Sequence, residues 1–152
     1  MDMAKFFDTV NHSKLIEILS GTVKDGRVIS LVHKYLNAGV EVGHKFERTE
    51  AGVPQGGPLS PLLSNIMLNE LDKELHKRGH KFVRYADDLV ILCKSKRAGE
   101  RIMNSVIKFI EEHLFLKVNR DKTSVVYFNR IKFLGYSFYQ IKGEIRFRIH
   151  PK

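Results

Sequence analysis

The chain lacks several features that mark common protein classes. Its single cysteine, Cys93, excludes an intrachain disulfide framework and suits a reducing compartment. Because this thiol lies in an apolar run, we predict a packed core residue rather than a nucleophile. The sequence has no run of about 18 apolar residues, and its N-terminus has no apolar signal-peptide core. These absences argue against a membrane span and favour a cytoplasmic location.

The net charge of +9 is divided unevenly along the 152 residues. Residues 1–93 carry 12 Lys and Arg against 12 Asp and Glu, whereas residues 94–152 carry 14 against 5. Aromatic side chains are interleaved with this basic half: Phe128, Phe133, Tyr136, Phe138, Tyr139 and Phe147. Basic charge mixed with aromatic rings is typical of a nucleic-acid surface, but a solvated basic surface has the same composition. Charge alone leaves both interpretations open.

Apolar spacing predicts four helices and several strands in a single domain, residues 1–152. The first predicted helix starts after an N-cap, Asn11 or Ser13, and ends at Gly21. The others cover Asp25 to Leu36, the N-cap Ser60 to near Arg78, and Ala98 to Leu116. Two strands are predicted as a hairpin around Gly43 and His44, and two more flank Asp87 and Asp88. Three further strands cover Ser124–Phe128, Lys132–Tyr139 and Glu144–Ile149. Gly135 is expected to mark a bulge or a close backbone approach. This order predicts an α+β fold, an antiparallel sheet with helices packed on one face.

Two adjacent carboxylates interrupt the most apolar strand pair. Residues 82–93 read FVRYADDLVILC, so Asp87 and Asp88 are predicted at the tip of a tight hairpin. Like charges this close repel, and a divalent cation with a preference for oxygen ligands relieves the repulsion. The alternative is ordinary turn chemistry facing water, since Asp is a favoured turn residue.

Other stretches are suited to a nucleotide. Asp2 with Asp87 and Asp88 would supply three carboxylates to a two-metal site, which can clamp both oxygens of a phosphoryl transfer. The loop Gln55-Gly56-Gly57 lies between prolines and lets a backbone approach a ligand closely. Lys122 and the basic second half would meet phosphate charge.

Five motifs, in order, resemble those of the reverse transcriptases, most closely the group II intron-encoded reverse transcriptase/maturase branch. They are Asp2 to Asp8 (DMAKFFD), Val53 to Pro61 (VPQGGPLSP), Tyr85 to Asp88 (YADD), Asn119 to Thr123 (NRDKT) and Phe133 to Phe138 (FLGYSF). The resemblance implies the palm of a reverse transcriptase. It also implies that residues 1–152 are a fragment, with the fingers before it and the thumb after it missing.

The resemblance further implies the roles of single residues. Two Mg²⁺ ions, for which Mn²⁺ could substitute, would be held by Asp2, Asp87 and Asp88 and by the Met3 carbonyl. The incoming nucleotide would meet the amides of Lys5 and Phe6, the ring of Phe7 against the sugar, Gln55, Gly56 and Lys122. Lys122 would protonate or neutralise the leaving pyrophosphate. The primer end would be supported by Tyr85, Phe133, Leu134 and Gly135.

The implied activity is RNA-directed DNA polymerisation in the bacterial cytoplasm. The implied partners are an RNA template, a DNA primer, deoxynucleoside triphosphates and group II intron RNA, without a membrane. The alternatives are an RNA-binding maturase module that assists intron splicing and a retron or CRISPR-associated relative. A palm that lacks the beginning of its first strand could expose a sheet edge, which would allow self-association.

Overall fold

The computed structural model describes residues 1–42, 45–47, 51–54 and 56–150, with side chains described outside residues 40–47. The helices are α1 (Phe6–Thr9), α2 (His12–Thr22), α3 (Gly26–Leu36), α4 (Ser60–Lys77) and α5 (Lys96–His113), and a 3₁₀ turn covers Phe128–Arg130. The strands are β1 (Val40–Val42), β2 (Lys45–Glu47), β3 (Lys81–Tyr85), β4 (Asp88–Leu92), β5 (Lys132–Phe133), β6 (Tyr136–Ile141) and β7 (Glu144–Ile149). The α+β class is confirmed, since helices alternate with antiparallel strand pairs. Among the described residues, no helix is long and apolar enough to cross a membrane.

Three helices begin at side-chain caps that the sequence predicts or allows. The side chain of Asn11 accepts from the amide of Lys14 (2.9 Å) at the start of α2, and thus Asn11, not Ser13, is the cap. Asp25 caps α3, and Ser95 caps α5. Each cap satisfies an amide that the first helical turn leaves without a partner. Helix α2 continues one residue past Gly21, where we expected it to end.

Helix α4 begins differently from the prediction. Its N-cap position is Leu59, and the predicted cap Ser60 lies inside the helix. The Ser60 hydroxyl donates instead to the Pro54 carbonyl and lies 3.2 Å from the Tyr35 hydroxyl. The prediction of a Ser60 cap is therefore wrong, because the hydroxyl holds the preceding loop and α3 rather than the helix terminus.

The core is built on α4 and closed by α5. One face of α4 is almost completely buried: Leu63, Met67, Leu68, Leu71 and Leu75. From α5, Val106, Ile107 and Ile110 pack into the same cluster. Full burial of such a side chain contributes roughly 1.5–3 kcal/mol, so this apolar face is a large contribution to the stability of the fold.

The first four residues form an extended segment that lies between β4 and residues 117–119. The backbone of Met1 exchanges two hydrogen bonds with Leu89 of β4, of 2.7 and 3.0 Å. On its other side, Met3 forms an antiparallel bridge with Val118. Two backbone bonds flank that bridge, from Ala4 to Lys117 (2.8 Å) and from Asn119 to Asp2 (2.9 Å). Asp2 is therefore fixed between β4 and residues 117–119.

Two strand predictions in the basic half are wrong. Residues 124–127 form no strand, and of these four only Val125 is half-buried, since its side chain packs against α5. A Cβ at Gly99 of α5 would lie only 2.7 Å from a methyl group of Val125. The predicted strand Lys132–Tyr139 is two strands, β5 and β6, joined by Leu134 and Gly135 at φ 50° and 80°. Gly135 thus belongs to a two-residue hairpin turn and not to a bulge.

Smaller differences concern the hairpins and the cysteine. Strands β1 and β2 pair as the predicted hairpin, whose turn residues Gly43 and His44 lie outside the described residues. Strands β5, β6 and β7 form one antiparallel sheet, in that order. Cys93 lies just after β4 and is exposed, so the prediction of a packed core thiol is wrong.

Candidate active site

The acidic turn is one residue earlier than the sequence predicts. Strands β3 and β4 pair antiparallel with Tyr85 opposite Asp88, so the turn consists of Ala86 and Asp87. Ala86 has φ 51°, a left-handed conformation that residues other than glycine rarely adopt. Asp88 is exposed at the first position of β4, and Asp87 is half-buried. The hairpin thus places two carboxylates on adjacent residues at its tip.

Asp2 is held from the opposite side by residues 119–123. Its Oδ2 atom lies 3.3 Å from the Lys122 Nζ atom and accepts from the Asn119 side-chain amide at 3.3 Å. Its backbone amide donates to the Thr123 hydroxyl at 3.4 Å. Because the Lys122 side chain is 71% exposed, the ion pair with Asp2 gains little energy, and the ammonium group remains free to exchange partners.

The three carboxylates line one open cleft of about 320 Å³. Its walls are Met1, Asp2, Asp87, Asp88, Leu89, Val90, Lys122, Lys132 and Phe133. Burial lowers the pKa of the Met1 α-amino group, and the carboxylates of Asp88 and Asp2 oppose that shift. Both charges therefore act on the same point of the cleft, although Asp2 is separated from the turn by 84 residues of sequence.

The carboxylate side chains of the cleft are of the chemical type that binds a divalent metal. Carboxylate oxygens are the ligands that Mg²⁺ prefers, and Mg²⁺ is commonly bound by one or two carboxylates together with substrate phosphates. Within the described part of the chain, no three His, Cys, Asp or Glu side chains already converge as a ligand group. The Met3 side chain is buried, and the role of its carbonyl as a ligand stays a prediction.

The glycine loop leads into α4. Gln55 lies outside the described residues. Gly56 is exposed with φ 80°, which confirms that the loop needs an unusual backbone angle. A Cβ at Gly57 would lie 2.2 Å from the Tyr35 hydroxyl, so there the close approach comes from α3. The predicted contact between Gly56 and a nucleotide stays a prediction.

The two phenylalanines of α1 have different surroundings. Phe6 is 3% exposed and belongs to the core, whereas Phe7 is half-buried with its ring edge against Phe6. The Phe7 carbonyl accepts from the Val53 amide at 2.6 Å, which ties α1 to the segment before the glycine loop. Lys5 is exposed at φ 47°. Of the two rings only that of Phe7 is partly exposed, and its contact with a nucleotide stays a prediction.

The predicted primer-supporting residues lie beside the carboxylates. Phe133 lines the cleft itself, and Leu134 and Gly135 form the turn that follows it. The Gly135 carbonyl accepts from the amide of His150 at 2.7 Å, which closes the β5–β6–β7 sheet. Tyr85 is 64% exposed and pairs with Asp88.

Sequence reasoning missed two residues that hold this site. The buried His12 ring places Nε2 2.6 Å from the Gly52 carbonyl and so fixes the segment before the glycine loop. Arg84 of β3 binds both α4 and the carbonyl of Ala86. In the sequence, His12 follows an ordinary helix cap and Arg84 interrupts an apolar run, so the only signal is a polar residue at an inward-facing position.

Comparisons with known proteins give one family. The profile of the family described as reverse transcriptase (RNA-dependent DNA polymerase) matches residues 1–138. Protein YkfC of Escherichia coli is 33% identical over 95% of this chain and 48% of its own length. The group II intron-encoded protein LtrA of Lactococcus lactis is 38% identical over 59% of this chain and 15% of its own length.

A retron and a solved structure are also similar. The Mx65 retron reverse transcriptase of Myxococcus xanthus is 39% identical over 47% of this chain and 17% of its own length. A solved partial Cas6-RT-Cas1--Cas2 complex contains a chain that is 32% identical over 73% of this one and 21% of that chain, with a TM-score of 0.42. The present chain therefore spans less than half the length of each of these proteins.

Proposed function

The chain belongs to the reverse transcriptase family, and we propose that it is the palm of an RNA-directed DNA polymerase of the group II intron type. The reaction is transfer of a deoxynucleotidyl group to a primer 3′-hydroxyl. The 3′-hydroxyl loses its proton to solvent as its oxygen bonds to the α-phosphorus of the triphosphate, the bond from the α-phosphorus to its bridging oxygen breaks, and pyrophosphate leaves.

One observation carries this proposal. Carboxylates from two distant segments, Asp2 and the pair Asp87 and Asp88, line a single cleft together with Lys122 and Phe133. These residues belong to four of the five motifs by which the sequence resembles the family. An accidental resemblance of short motifs gives no reason for them to meet in space.

Asp2, Asp87 and Asp88 would hold the Mg²⁺ ions of the site. When bound, Mg²⁺ lowers the pKa of the attacking hydroxyl and neutralises charge that develops on the phosphates. The chain itself contributes the position of the ligands. Hydrogen bonds of the Met1 backbone to β4, and of Asp2 to residues 119–123, keep the first carboxylate opposite the turn.

Lys122 would act on the leaving group. Its ammonium lies 3.3 Å from Asp2 and is largely exposed, so it can turn towards an incoming triphosphate at low cost. There it would donate a proton or a hydrogen bond to the pyrophosphate oxygen as the bond to the α-phosphorus breaks.

The remaining residues would position nucleotide and primer. Phe7 would place its ring against the sugar and exclude a 2′-hydroxyl by contact, while Gly56 would allow the loop to approach the nucleotide. Tyr85, with an exposed ring, and Phe133 in the cleft wall would support the primer end. An RNA template and a primer would continue across the basic second half of the chain, which carries the whole net charge.

Primer extension on an RNA template with deoxynucleotides and Mg²⁺ tests the proposal. The double variant Asp87→Ala, Asp88→Ala should lose extension by a factor of at least about 10³, because it removes two metal ligands. A matched control is Asp121→Ala, which removes an exposed carboxylate next to Lys122 that does not line the cleft. Equal extension by the double variant and the control would contradict the proposal.

The maturase alternative concerns RNA binding without polymerisation. The relative named as a group II intron-encoded protein supports it, and both activities can reside in one chain. Filter binding to intron RNA distinguishes them, since the Asp87 and Asp88 double variant should bind RNA as the unchanged chain does while extension disappears. Loss of both would indicate misfolding.

A further inference from the structure

Arg84 connects the acidic turn to helix α4. Its Nε atom donates to Asp72 Oδ1 at 2.8 Å, and Nη2 donates to Asp72 Oδ2 at 2.5 Å. Its Nη1 atom donates to the Asn65 side-chain oxygen at 3.0 Å and to the Ala86 carbonyl at 2.9 Å. Four of the five guanidinium N–H groups therefore have partners, three on α4 and one on the turn.

The contact with Ala86 falls on the most constrained residue of the hairpin. Ala86 has φ 51°, and an L-residue reaches this left-handed region only when its surroundings hold it there. A hydrogen bond to the Ala86 carbonyl fixes the peptide that joins Ala86 to Asp87. The orientation of that peptide determines the direction of the Asp87 side chain and the start of β4 at Asp88.

The anchor on α4 is rigid. Asn65 and Asp72 are seven residues apart, two helical turns, and lie on the same side of α4. One turn further along, the ring of His76 packs against Phe82, the next inward-facing residue of β3, with centroids 5.0 Å apart. The Arg84 side chain is only 11% exposed, so water does not compete effectively with its fork-shaped pairing.

We propose that Arg84 is a positioning residue, which holds the Ala86–Asp87 turn against Asp72 and Asn65 so that both turn carboxylates face the metal site. The inference rests on the proposed function only in naming the ligand as a divalent cation. Arg84 is not among the residues that line the carboxylate cleft. Its effect passes through the Ala86 carbonyl.

The chain offers a matched control for a purely structural ion pair. Arg78 donates from Nε to Glu74 of α4 at 2.8 Å and from Nη1 to the Ser105 hydroxyl at 2.6 Å. It joins α4 to α5, and within the described part of the chain none of its hydrogen bonds reaches the acidic turn. Arg84→Lys and Arg78→Lys thus remove comparable forks, only one of which reaches the turn.

The test measures the dissociation constant of Mn²⁺, from the free-ion electron paramagnetic resonance signal, beside the thermal unfolding midpoint. We expect Arg84→Lys to weaken Mn²⁺ binding by about tenfold, the lower end of the effect of outer-shell partners on metal affinity. Arg78→Lys should leave the Mn²⁺ affinity within about twofold, even if it lowers the unfolding midpoint as much.

Rescue separates positioning from general stability. Glycine adopts a left-handed conformation without strain. Adding Ala86→Gly to Arg84→Lys should therefore restore part of the Mn²⁺ affinity, because the turn then needs less support. Equal Mn²⁺ affinities of Arg84→Lys and Arg78→Lys, or an affinity that follows the unfolding midpoint across all variants, would overturn the inference.

The same experiment distinguishes this inference from the proposed function. Weaker Mn²⁺ binding by Arg84→Lys in a chain that does not extend primers would support the positioning role and count against polymerisation. Normal Mn²⁺ binding by Arg84→Lys in a chain that extends primers would do the opposite. A lack of Mn²⁺ binding by the unchanged chain would overturn both.

Discussion

At the scale of single residues, the proposed contact with the nucleotide sugar depends on which of two adjacent rings is accessible. Phe6 is in the core and Phe7 is half-buried, so only Phe7 can present its ring to a sugar. Phe7→Ala should therefore admit ribonucleotides, lowering the ratio of kcat/KM for deoxynucleotides over ribonucleotides by about tenfold or more. Phe115→Ala, which removes an exposed ring after α5, is the control. An unchanged ratio in Phe7→Ala would rule out the assigned contact.

Lys122 gives a second prediction at this scale. Lys122→Ala should lower kcat by about 10²-fold with little change in the affinity for template and primer, since general acids contribute in this range. The measurement is single-turnover extension at saturating nucleotide. Lys117→Ala, an exposed lysine in the same connection, should have no such effect. A loss of nucleic-acid affinity at normal kcat would instead assign Lys122 to phosphate binding.

At the scale of elements, the segment before the glycine loop is fixed by close backbone contact. Gly52 has φ 91°, and a Cβ there would lie 2.7 Å from the Phe7 carbonyl oxygen. Gly52→Ala should cost about 2 kcal/mol or more of unfolding free energy, measured by urea denaturation, because backbone must move.

Gly79→Ala is the matched control for Gly52→Ala. Gly79 also has a positive φ, 71°, but no atom lies within 4 Å of its added Cβ. Gly79→Ala should therefore lower the free energy of unfolding only by the conformational strain, about 1 kcal/mol. Equal losses in the two variants would show that the contact of Gly52 with α1 contributes nothing.

Among the elements, the starts of helices are what the sequence predicts well. Helix starts at Asn11 and Asp25 follow local chemistry, since each cap bonds an amide two or three residues away. The predicted strand Ser124–Phe128 is absent, and in its place Val125 packs onto Gly99, a tertiary contact that no local pattern encodes. The prediction of a Ser60 cap is wrong for the same reason, since the partners of its hydroxyl, Pro54 and Tyr35, lie outside α4.

The candidate site likewise has residues that the sequence predicts and contacts that it does not. The motifs contain the carboxylates and Lys122, and the sequence alone suggested that they meet. The sequence does not show that residues 119–123 hold Asp2, or that Arg84 holds the turn. Both depend on side chains that reach across elements after the chain has folded.

At the scale of the whole molecule, charge is separated along the chain. The excess of +9 lies in residues 94–152, which include the exposed strand β7 and the β6–β7 turn. RNA affinity should therefore fall steeply with salt, and the variant Lys142→Gln, Arg148→Gln should reduce the slope of log K against log salt by about 1–2. Arg27→Gln, Lys34→Gln on α3 removes the same charge from the neutral half. An equal change of slope in the α3 variant would argue against a basic track.

We propose, above all, that segments far apart in sequence form one metal site. Mn²⁺ added to the ¹⁵N-labelled chain broadens amide signals near the bound ion, so a titration maps the site directly. We predict that the first amides to broaden belong to residues 2–4, 86–89 and 119–123, while those of α2 and α3 remain sharp, and that Asp87→Asn with Asp88→Asn abolishes the effect. Broadening confined to the acidic turn, or centred on another part of the chain, would contradict a site shared with Asp2.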